Sequence, residues 1–535
     1  MPGLPRLLFV AGLAALCLLV VVGCDRGQDS EPTPTASPQA QTAIGPKLGG
    51  ILVAPLEAEA ATLDPHMATS PATAIIAGAV YNGLLQYDSE GEIVADLAES
   101  WQYVDSTTLV IRLRRGVRWQ DLPPLYGREL TADDAVFALK RAATKEASYT
   151  LRGLLSSVDT VSVVDRYTLR VTLTAPDIYV LDALANPCML VVAPEVVAQQ
   201  PTGELADVAV GTGPFLLKEY DPAVGGKLER NPEYFVKDRP YLDGVLTLVM
   251  PDAQARETAF RMGKMDTYRA EPKQLSDLVR DVPGVKSYSY PYDGVYKIAM
   301  NCRRAPFADA HVRQAVRYAS DVSGYVSVVG EGPGQRVSGA VPAAFGKWAL
   351  PEAYLWEPDV AKSKQLLAMA GYTYGLKTTT EAVAGYNALQ SEVMRQQLAA
   401  AGIEVTIRHV PLATWQAHVY RHELDIWAWL DDPRAMVDGY IYASFHTGGQ
   451  RNGTGYSNPG VDDLLESQRS ALDEEQRLRL VQEAQRIIWD DAPEIALFTG
   501  YHFVLTQPYV QGYHPQLVGR TGSAANLLQD VWLSK

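Results

Sequence analysis

The sequence is poor in cysteine and in positive charge, and it has few long apolar runs. Four of its 535 residues are cysteines and none forms a CxxC pair, so neither redox chemistry nor a cysteine zinc site is indicated. The 47 Lys and Arg against 62 Asp and Glu leave a formal net charge of −15. This charge argues against nucleic acid as a partner, because phosphate binding needs a basic surface. Beyond the N-terminus, no apolar run reaches the ~20 residues of a membrane-spanning helix.

Sequence signatures of catalysis are missing as well. The glycine-rich residues 330–339 lack the Lys-Ser/Thr pair of a phosphate-binding loop. No G-x-S-x-G nucleophile elbow is present. Adjacent carboxylates such as Asp490 and Asp491 fit helix ends or turns. We therefore predict a protein that is not an enzyme and that carries no cofactor.

The N-terminal segment predicts export followed by lipid attachment. Arg6 precedes an apolar run, residues 7–22, which has the length of a signal-peptide core and is short for a membrane span. The run ends in Val-Val-Gly before Cys24, which resembles a bacterial lipobox, where the cysteine becomes the first mature residue and carries the lipid. Residues 25–47 are rich in Pro, Ser, Thr and Gln, which predicts a disordered tether. We expect an extracytoplasmic protein that is anchored to the cell membrane, in the periplasm or on the outer surface.

The mature chain is long enough for more than one core. About 490 residues follow the tether, and single cores stop growing near about 250–300 residues, so two or three lobes are expected. Strands are predicted by alternating apolar residues at 108–113 and 167–173. A helix is predicted after Thr131, which precedes two aspartates and can cap it. Another is predicted over 474–489, and this mixture of elements indicates an α/β fold.

Two thiols remain in the mature chain once Cys17 is removed and Cys24 is modified. They are Cys188 and Cys302, and an exported chain can join such a pair in a disulfide. Their spacing leaves open whether they are bonded or free.

A series of short segments follows one order along the chain, and each segment alone is a weak signal. The segments are 62–66 (TLDPH), 82–85 (NGLL), 97–101 (LAESW), 111–119 (IRLRRGVRW), 130–136 (LTADDAV), 211–215 (GTGPF), 230–234 (RNPEY), 306–309 (PFAD), 312–315 (VRQA), 370–372 (AGY), 456–458 (YSN) and 491–493 (DAP).

Taken together, the segments resemble the family 5 extracellular solute-binding proteins, the oligopeptide, dipeptide and nickel receptors of ABC-type importers. The resemblance implies a two-lobed periplasmic-binding-protein clamp (type II, cluster C-like) with an extra inserted domain. A hinge motion would enclose the ligand between the lobes. It also implies that a peptide or a related small organic solute is delivered to permease subunits in the membrane, and we expect the receptor to be a monomer.

The resemblance and the composition together divide the chain into seven segments. These are a signal peptide (1–23), the lipidated cysteine with its tether (24–48), a first segment of lobe I (49–94), the inserted domain (95–175), a second segment of lobe I (176–290), lobe II (291–504) and a C-terminal segment of lobe I (505–535).

Two adjacent aspartates are the first candidates for ligand contact. Residues 425–433 (DIWAWLDDP) resemble the family's GW-x-x-D segment, whose acid receives the α-amino group of a peptide. Trp429 matches the tryptophan and Asp432 falls at the matching spacing, whereas Asp431 would take its place after a one-residue gap. A charge on an enclosed ligand must be paired, because an unpaired buried charge makes binding unfavourable.

Aromatic and amide side chains are the other candidates implied by the resemblance. Trp415 resembles a tryptophan that lines the family's side-chain pockets, and Tyr149 resembles a tyrosine of the inserted domain; such rings suit a pocket. Peptide receptors often have a basic residue in the segment that corresponds to 381–388 (EAVAGYNA), where this chain has none. A clamped peptide carboxylate is therefore not indicated, and Tyr386 or Asn387 is expected to hydrogen-bond the ligand.

The nickel branch of the family supplies the alternative function, binding of a metal or a metal chelate. His418 and His422 are four residues apart and can share one helical face. Glu423 follows His422, so no HExxH motif is formed, and metal sites need three or four ligands with supporting contacts. Solvent-exposed helix histidines explain the spacing as well, and we predict no metal ligands.

Overall fold

Alternating apolar residues build the strands, and side-chain caps begin several of the helices. The computed structural model describes residues 45–535 except 68–69, 90, 145–149, 292–293, 331, 433, 435 and 515–527. The predicted signal peptide, Cys24, nearly all of the tether and Tyr149 lie outside the described residues. Within them, no helix has both the length and the apolar character that a bilayer crossing requires.

The first half of the described chain is rich in strands. Its elements are β1 (Ile51–Leu56), α1 (Pro71–Val80), β2 (Leu85–Tyr87), β3 (Ile93–Ala95), β4 (Ala98–Asp105), β5 (Thr108–Leu113), α2 (Ala132–Ala143), β6 (Val158–Asp165), β7 (Thr168–Leu173), α3 (Val180–Leu184), α4 (Pro194–Ala198), β8 (Phe215–Asp221), β9 (Gly225–Arg230), β10 (Gly244–Val249), α5 (Ala253–Arg261), β11 (Thr267–Ala270), α6 (Leu275–Asp281) and β12 (Lys286–Pro291).

The second half of the described chain contains the longer helices. Its elements are β13 (Val295–Met300), α7 (Ala310–Ala319), α8 (Val322–Val329), β14 (Gln335–Arg336), α9 (Val360–Met369), β15 (Leu376–Ala382), α10 (Ala388–Ala400), β16 (Ile403–His409), α11 (Leu412–Tyr420), β17 (Ile426–Asp431), α12 (Val437–Phe445), α13 (Pro459–Ser470), α14 (Glu474–Asp491), β18 (Glu494–Thr499), β19 (Tyr501–Thr506), β20 (Val510–Gln511) and β21 (Trp532–Leu533).

The elements predicted from local sequence signals are present. Strands β5 and β7 pair with each other at the predicted positions. Thr131 is the N-cap of α2, and the carboxylate of Asp134 accepts a hydrogen bond from the Thr131 backbone N–H at 2.9 Å. Helix α14 begins after Asp473, whose side chain accepts from the N–H of Gln476.

Three four-stranded sheets and one three-stranded sheet form the framework of the described residues. The first four-stranded sheet has the order β1-β10-β9-β8, the second β4-β5-β7-β6 and the third β14-β18-β13-β17. The second lies within the predicted inserted domain (95–175) and the third within predicted lobe II (291–504). In the three-stranded sheet, β19 runs between β11 and β12. The predicted boundary at 504/505 therefore falls inside β19.

The first and second sheets share one apolar core, whereas the third sheet packs in a core whose buried residues all lie within 291–504. Ile111 of the second sheet packs in the same core as Leu52 of the first, so the inserted sheet has no separate core. Ile178 and Tyr179 pack instead with Tyr440 in a core of the C-terminal half. The Tyr179 hydroxyl donates a hydrogen bond to the side-chain oxygen of Gln468 at 2.7 Å. The two halves of the chain are therefore in contact beside α13.

The TLDPH segment forms a buried ion pair. The carboxylate of Asp64, which is fully buried, pairs with the guanidinium of Arg141 and accepts the backbone N–H of Leu205 at 3.1 Å. Burial, with the positive charge of Arg141, lowers the pKa of His66 to about 4, so its imidazole is neutral at neutral pH. Its Nε2–H donates to the carbonyl of Leu190 at 2.9 Å, and Nδ1 accepts from Arg141.

The NGLL and GTGPF segments meet in the first core. The amide of Asn82 donates to the carboxylate of Asp96 at 2.9 Å and accepts from the hydroxyl of Thr212 at 3.1 Å. A Cβ atom on Gly211 would lie 2.1 Å from the carbonyl oxygen of Val80. Only glycine therefore fits at this position, because the two chain segments pack backbone to backbone.

Replacement of Gly211 by Ala should destabilise the fold, because the added methyl group has no space beside Val80. Overpacking of this kind costs about 1–3 kcal/mol, which urea denaturation measures as a change in the free energy of unfolding. Gly153→Ala is the matched control, since nothing lies within 4 Å of a Cβ atom there. Equal stability of the two variants would contradict the packing at Gly211.

Candidate functional site

The two faces of strand β17 have different roles. Ile426 and Ala428 point into the core that also contains Ile298. Trp427, Trp429 and Asp431 alternate with them and lie on the opposite face, beside Lys297 of the neighbouring strand β13. In the antiparallel register Lys297 pairs with Trp429, and Asp431 follows two residues further along the same face. The alternation thus places the candidate acid at the end of an aromatic face.

A buried network of charges surrounds Asp431. The ammonium of Lys297 lies 2.8 Å from Oδ2 of Asp431 and 3.0 Å from Oε2 of Glu494, and only 1% of the Lys297 side chain is exposed. The guanidinium of Arg434 contacts Oδ1 of Asp431 and also donates to the carbonyl of Asp432. Both carboxylate oxygens of Asp431 are therefore bonded within the protein.

The pKa shifts follow from this arrangement. Burial alone would raise the pKa of Asp431, but Lys297 and Arg434 outweigh it and hold that pKa below its usual value. Glu494 has fewer cationic contacts, so burial raises its pKa despite Lys297, and the negative charge of Asp431 raises it further. Asp431 is thus ionised and neutralised by its own neighbours.

Asp432 differs sharply from Asp431, although it is the next residue. Its side chain is 76% exposed, and its nearest cation is the guanidinium of Arg451 at 4.0 Å. The contact between Arg434 and the Asp432 carbonyl fixes the main chain, while the carboxylate stays at the surface. Of the two candidate acids, Asp432 is the one that a ligand can reach.

An aromatic cluster adjoins these acids. The rings of Tyr386 and Trp415 are 5.6 Å apart at 69°, and those of Trp415 and Trp429 are 5.5 Å apart at 62°. Trp415 is buried behind the other two, whereas Tyr386 is 39% exposed. Burial raises the pKa of Tyr386, and the negative charges of Asp432 and Asp431 raise it further. Tyr386 and Trp429 both pack against Trp415 and form an aromatic wall, and strand β17, which carries Trp429, ends one residue before Asp432.

Asn387 supports this wall from inside. It is fully buried; its side-chain oxygen accepts the N–H of Val383 at 2.7 Å and its amide donates to the carbonyl of Ala428 at 3.0 Å. These bonds attach the loop that carries Tyr386 to strand β17. In this structure Asn387 positions the wall and presents no surface to a ligand.

Sequence reasoning missed the residues that neutralise Asp431. Lys297 and Arg434 were not among the candidates, and neither was Trp427, which contacts Trp429 with ring centroids 6.1 Å apart. The signal for Lys297 was present, because it is the one charged residue of strand β13, VYKIAM. A lysine in a central apolar strand indicates a buried ion pair.

The proposed histidine pair does not share a helical face. Helix α11 ends at Tyr420, and His422 lies beyond it with a φ of 56°. Nδ1 of His418 is 2.8 Å from the carboxylate of Glu381, whereas Nδ1 of His422 is 2.9 Å from the carbonyl of Gly453. Among the described residues, no three His, Cys, Asp or Glu side chains are grouped as metal ligands.

Two further features lie apart from the Asp432 surface. Cys188 and Cys302 are both free thiols. A partly open pocket touches the charge network at Lys297 and Glu494, and neither Asp432 nor an aromatic of the wall lines it. The pocket is therefore not the candidate ligand site.

The comparisons with known proteins define the family. The model of the bacterial extracellular solute-binding proteins, family 5 Middle, matches residues 92–452. The chain belongs to this family and is a solute-binding protein of the ABC-importer class. The predicted family and fold class are confirmed, and the family is one of receptors rather than enzymes.

Relatives and solved structures agree with this assignment. The glutathione-binding protein GsiB of Escherichia coli strain K12 is 26% identical over 456 residues, which cover 82% of this chain and 86% of the relative. The structure of HbpA2 from Haemophilus parasuis has a TM-score of 0.83 at 21% identity, covering 91% of this chain and all of that one. DppA from Helicobacter pylori, in complex with the peptide STSA, has a TM-score of 0.69 at 25% identity, covering 91% and 99%.

Lys297→Met should destabilise the protein, because Asp431 and Glu494 would lose the ammonium that lies between them. Removal of one partner from a buried ion pair costs about 3–5 kcal/mol, which chemical denaturation at neutral pH measures. The loss in free energy of unfolding should be smaller at acidic pH, where the two carboxylates left without a partner are protonated.

Lys377→Met is the matched control, because Lys377 pairs with Glu404 at 2.9 Å while its side chain is 81% exposed. An exposed pair contributes about 0–1 kcal/mol. If both lysine variants lost the same small amount, the Lys297 network would not be the stabilising element described above.

Proposed function

We propose that the protein is a lipid-anchored importer receptor that captures a peptide or a related small organic solute through an ammonium group. The observation that carries this proposal is the contrast between two adjacent acids. Asp431 is neutralised by Lys297 and Arg434, whereas Asp432 is exposed and its negative charge helps to raise the pKa of Tyr386. The ammonium would pair with Asp432, and the apolar part of the ligand would rest on Tyr386 and Trp429.

Enclosure between two lobes would strengthen this pairing. We assign Asp432 and the aromatic wall to lobe II (291–504), facing lobe I (49–94, 176–290 and 505–535). Hinge closure removes water from the site, and the attraction between an ammonium and a carboxylate rises as the local dielectric falls. The receptor would then hand the enclosed solute to permease subunits in the membrane.

The ligands named for two relatives fit this chemistry. GsiB is named for glutathione, and the DppA structure holds the peptide STSA. Both compounds carry a free ammonium group at one end and side chains of modest size. They are therefore suitable first probes, alongside mass spectrometry of the compound released from purified protein.

Asp432→Ala should weaken binding at least about tenfold, or about 1.4 kcal/mol, because the ligand ammonium would lose its carboxylate. Isothermal titration calorimetry with glutathione, with STSA and with the released compound measures the change. Glu404→Ala removes another exposed acid, on strand β16, and should leave the affinity unchanged. Unchanged affinity in Asp432→Ala, for each probe that binds wild type, would remove Asp432 from the site.

Cys24→Ser should release the protein from the membrane, because this residue is the proposed lipid attachment point. Fractionation of producing cells should show wild type in the membrane and the variant in the soluble extracytoplasmic fraction. Cys17→Ser is the matched control, since Cys17 lies in the proposed signal peptide and should leave the fractionation unchanged. A Cys24→Ser protein that still carried a fatty acid, detected by mass spectrometry, would contradict lipid attachment at Cys24.

A further inference from the structure

The surface beside the aromatic wall presents a pair of opposite charges, not a single acid. Nη1 of Arg451 and Oδ2 of Asp432 are 4.0 Å apart, and their side chains are 43% and 76% exposed. A pair of this kind contributes about 0–1 kcal/mol, because both charges remain hydrated. It can therefore be exchanged for contacts with a ligand at little cost.

The main chain on both sides of the pair is held in place. The N–H of Arg451 donates to the carbonyl of Ala443 at 2.9 Å. The side-chain amide of the next residue, Asn452, donates to the carbonyl of Tyr456 at 2.7 Å. On the other side, Arg434 holds the carbonyl of Asp432. The two charged groups are thus presented on fixed segments of main chain, which favours recognition of a ligand with matched charges.

The balance of charge at this end of β17 specifies which charged groups a ligand must present to the pair. The internal charges satisfy one another, and the exposed pair adds one positive and one negative group. A ligand with a lone ammonium would leave the guanidinium of Arg451 unmatched in an enclosed site, which is unfavourable. The groups concerned are Lys297, Arg434 and Arg451 on the positive side and Asp431, Asp432 and Glu494 on the negative side.

We propose that Asp432 and Arg451 together bind a free α-amino-acid head group, in which ammonium and carboxylate are bonded to the same carbon. Asp432 accepts hydrogen bonds from the ammonium, and the guanidinium of Arg451 donates two parallel hydrogen bonds to the carboxylate. This inference rests on the proposed role of Asp432 and adds Arg451 as a specificity-determining residue.

The head group separates two kinds of peptide. In an ordinary peptide, the carboxyl group of the first residue is consumed in an amide, so no carboxylate lies beside the ammonium. In a γ-glutamyl peptide, the amide is formed by the side-chain carboxyl group, and the α-ammonium and α-carboxylate both stay free. The pair therefore favours γ-glutamyl compounds and free amino acids that carry a bulky side chain.

Two isomers test the inference directly, because they have the same atoms and the same net charge. Glutathione is γ-Glu-Cys-Gly, and its α-linked isomer Glu-Cys-Gly differs only in which carboxyl group forms the amide. Calorimetry on the mature protein should give wild type a preference of at least about tenfold for glutathione. Arg451→Gln should abolish this preference by weakening the binding of glutathione, while the affinity for the α-linked isomer stays nearly constant.

The controls separate this inference from the proposed function. Arg479→Gln removes an exposed arginine of α14 and should keep the preference, and thermal unfolding of every variant checks that it is folded. The head-group assignment would be overturned if wild type bound the two isomers with equal affinity. It would also be overturned if Arg451→Gln lost the same amount of affinity for both isomers. The assignment would also be overturned if neither isomer bound and the compound released from purified protein had no such head group. A loss of binding in Asp432→Ala would still support the proposed function in each of these cases.

Discussion

A lysine buried in the sheet β14-β18-β13-β17 decides which acid of the candidate site is free. The ammonium of Lys297 lies within 3.0 Å of both Asp431 and Glu494 and has almost no exposure. A charge at that depth must be paired, and pairing occupies Asp431 together with Arg434. Asp432, one residue later, is left at the surface. The same ion pairs that stabilise the sheet therefore determine which acid is available at the proposed ligand surface.

The segments that carry the family resemblance act mainly inside the fold. Asp64 pairs with Arg141, Asn82 bonds to Asp96, and Gly211 packs against the backbone of Val80. None of these groups lies at the Asp432 surface. A resemblance built on such segments identifies the architecture more sharply than the ligand, because none of these groups belongs to the proposed ligand site.

Local signals explain how much could be predicted from sequence. Strand β5 and helix α2 follow from alternation and from a cap within a few residues. The choice between Asp431 and Asp432 was not predictable, because Lys297, which decides it, is 134 positions away along the chain. Asn387 shows the same limit: a polar side chain in a candidate pocket can face a ligand or, as here, the backbone, and only the fold distinguishes them.

In the proposed site, the exposure of Asp432 would allow weak charge pairing in the open state and stronger pairing with a ligand after closure. In water its contact with Arg451 contributes about 0–1 kcal/mol, so the empty site is easily opened to a ligand. Once lobes enclose the site, the same charges interact in a medium of lower dielectric constant, and each must have a partner. Recognition then depends on whether the ligand matches both charges, because a mismatch costs most in the closed state. Under the proposed function, the solute would therefore be selected at closure.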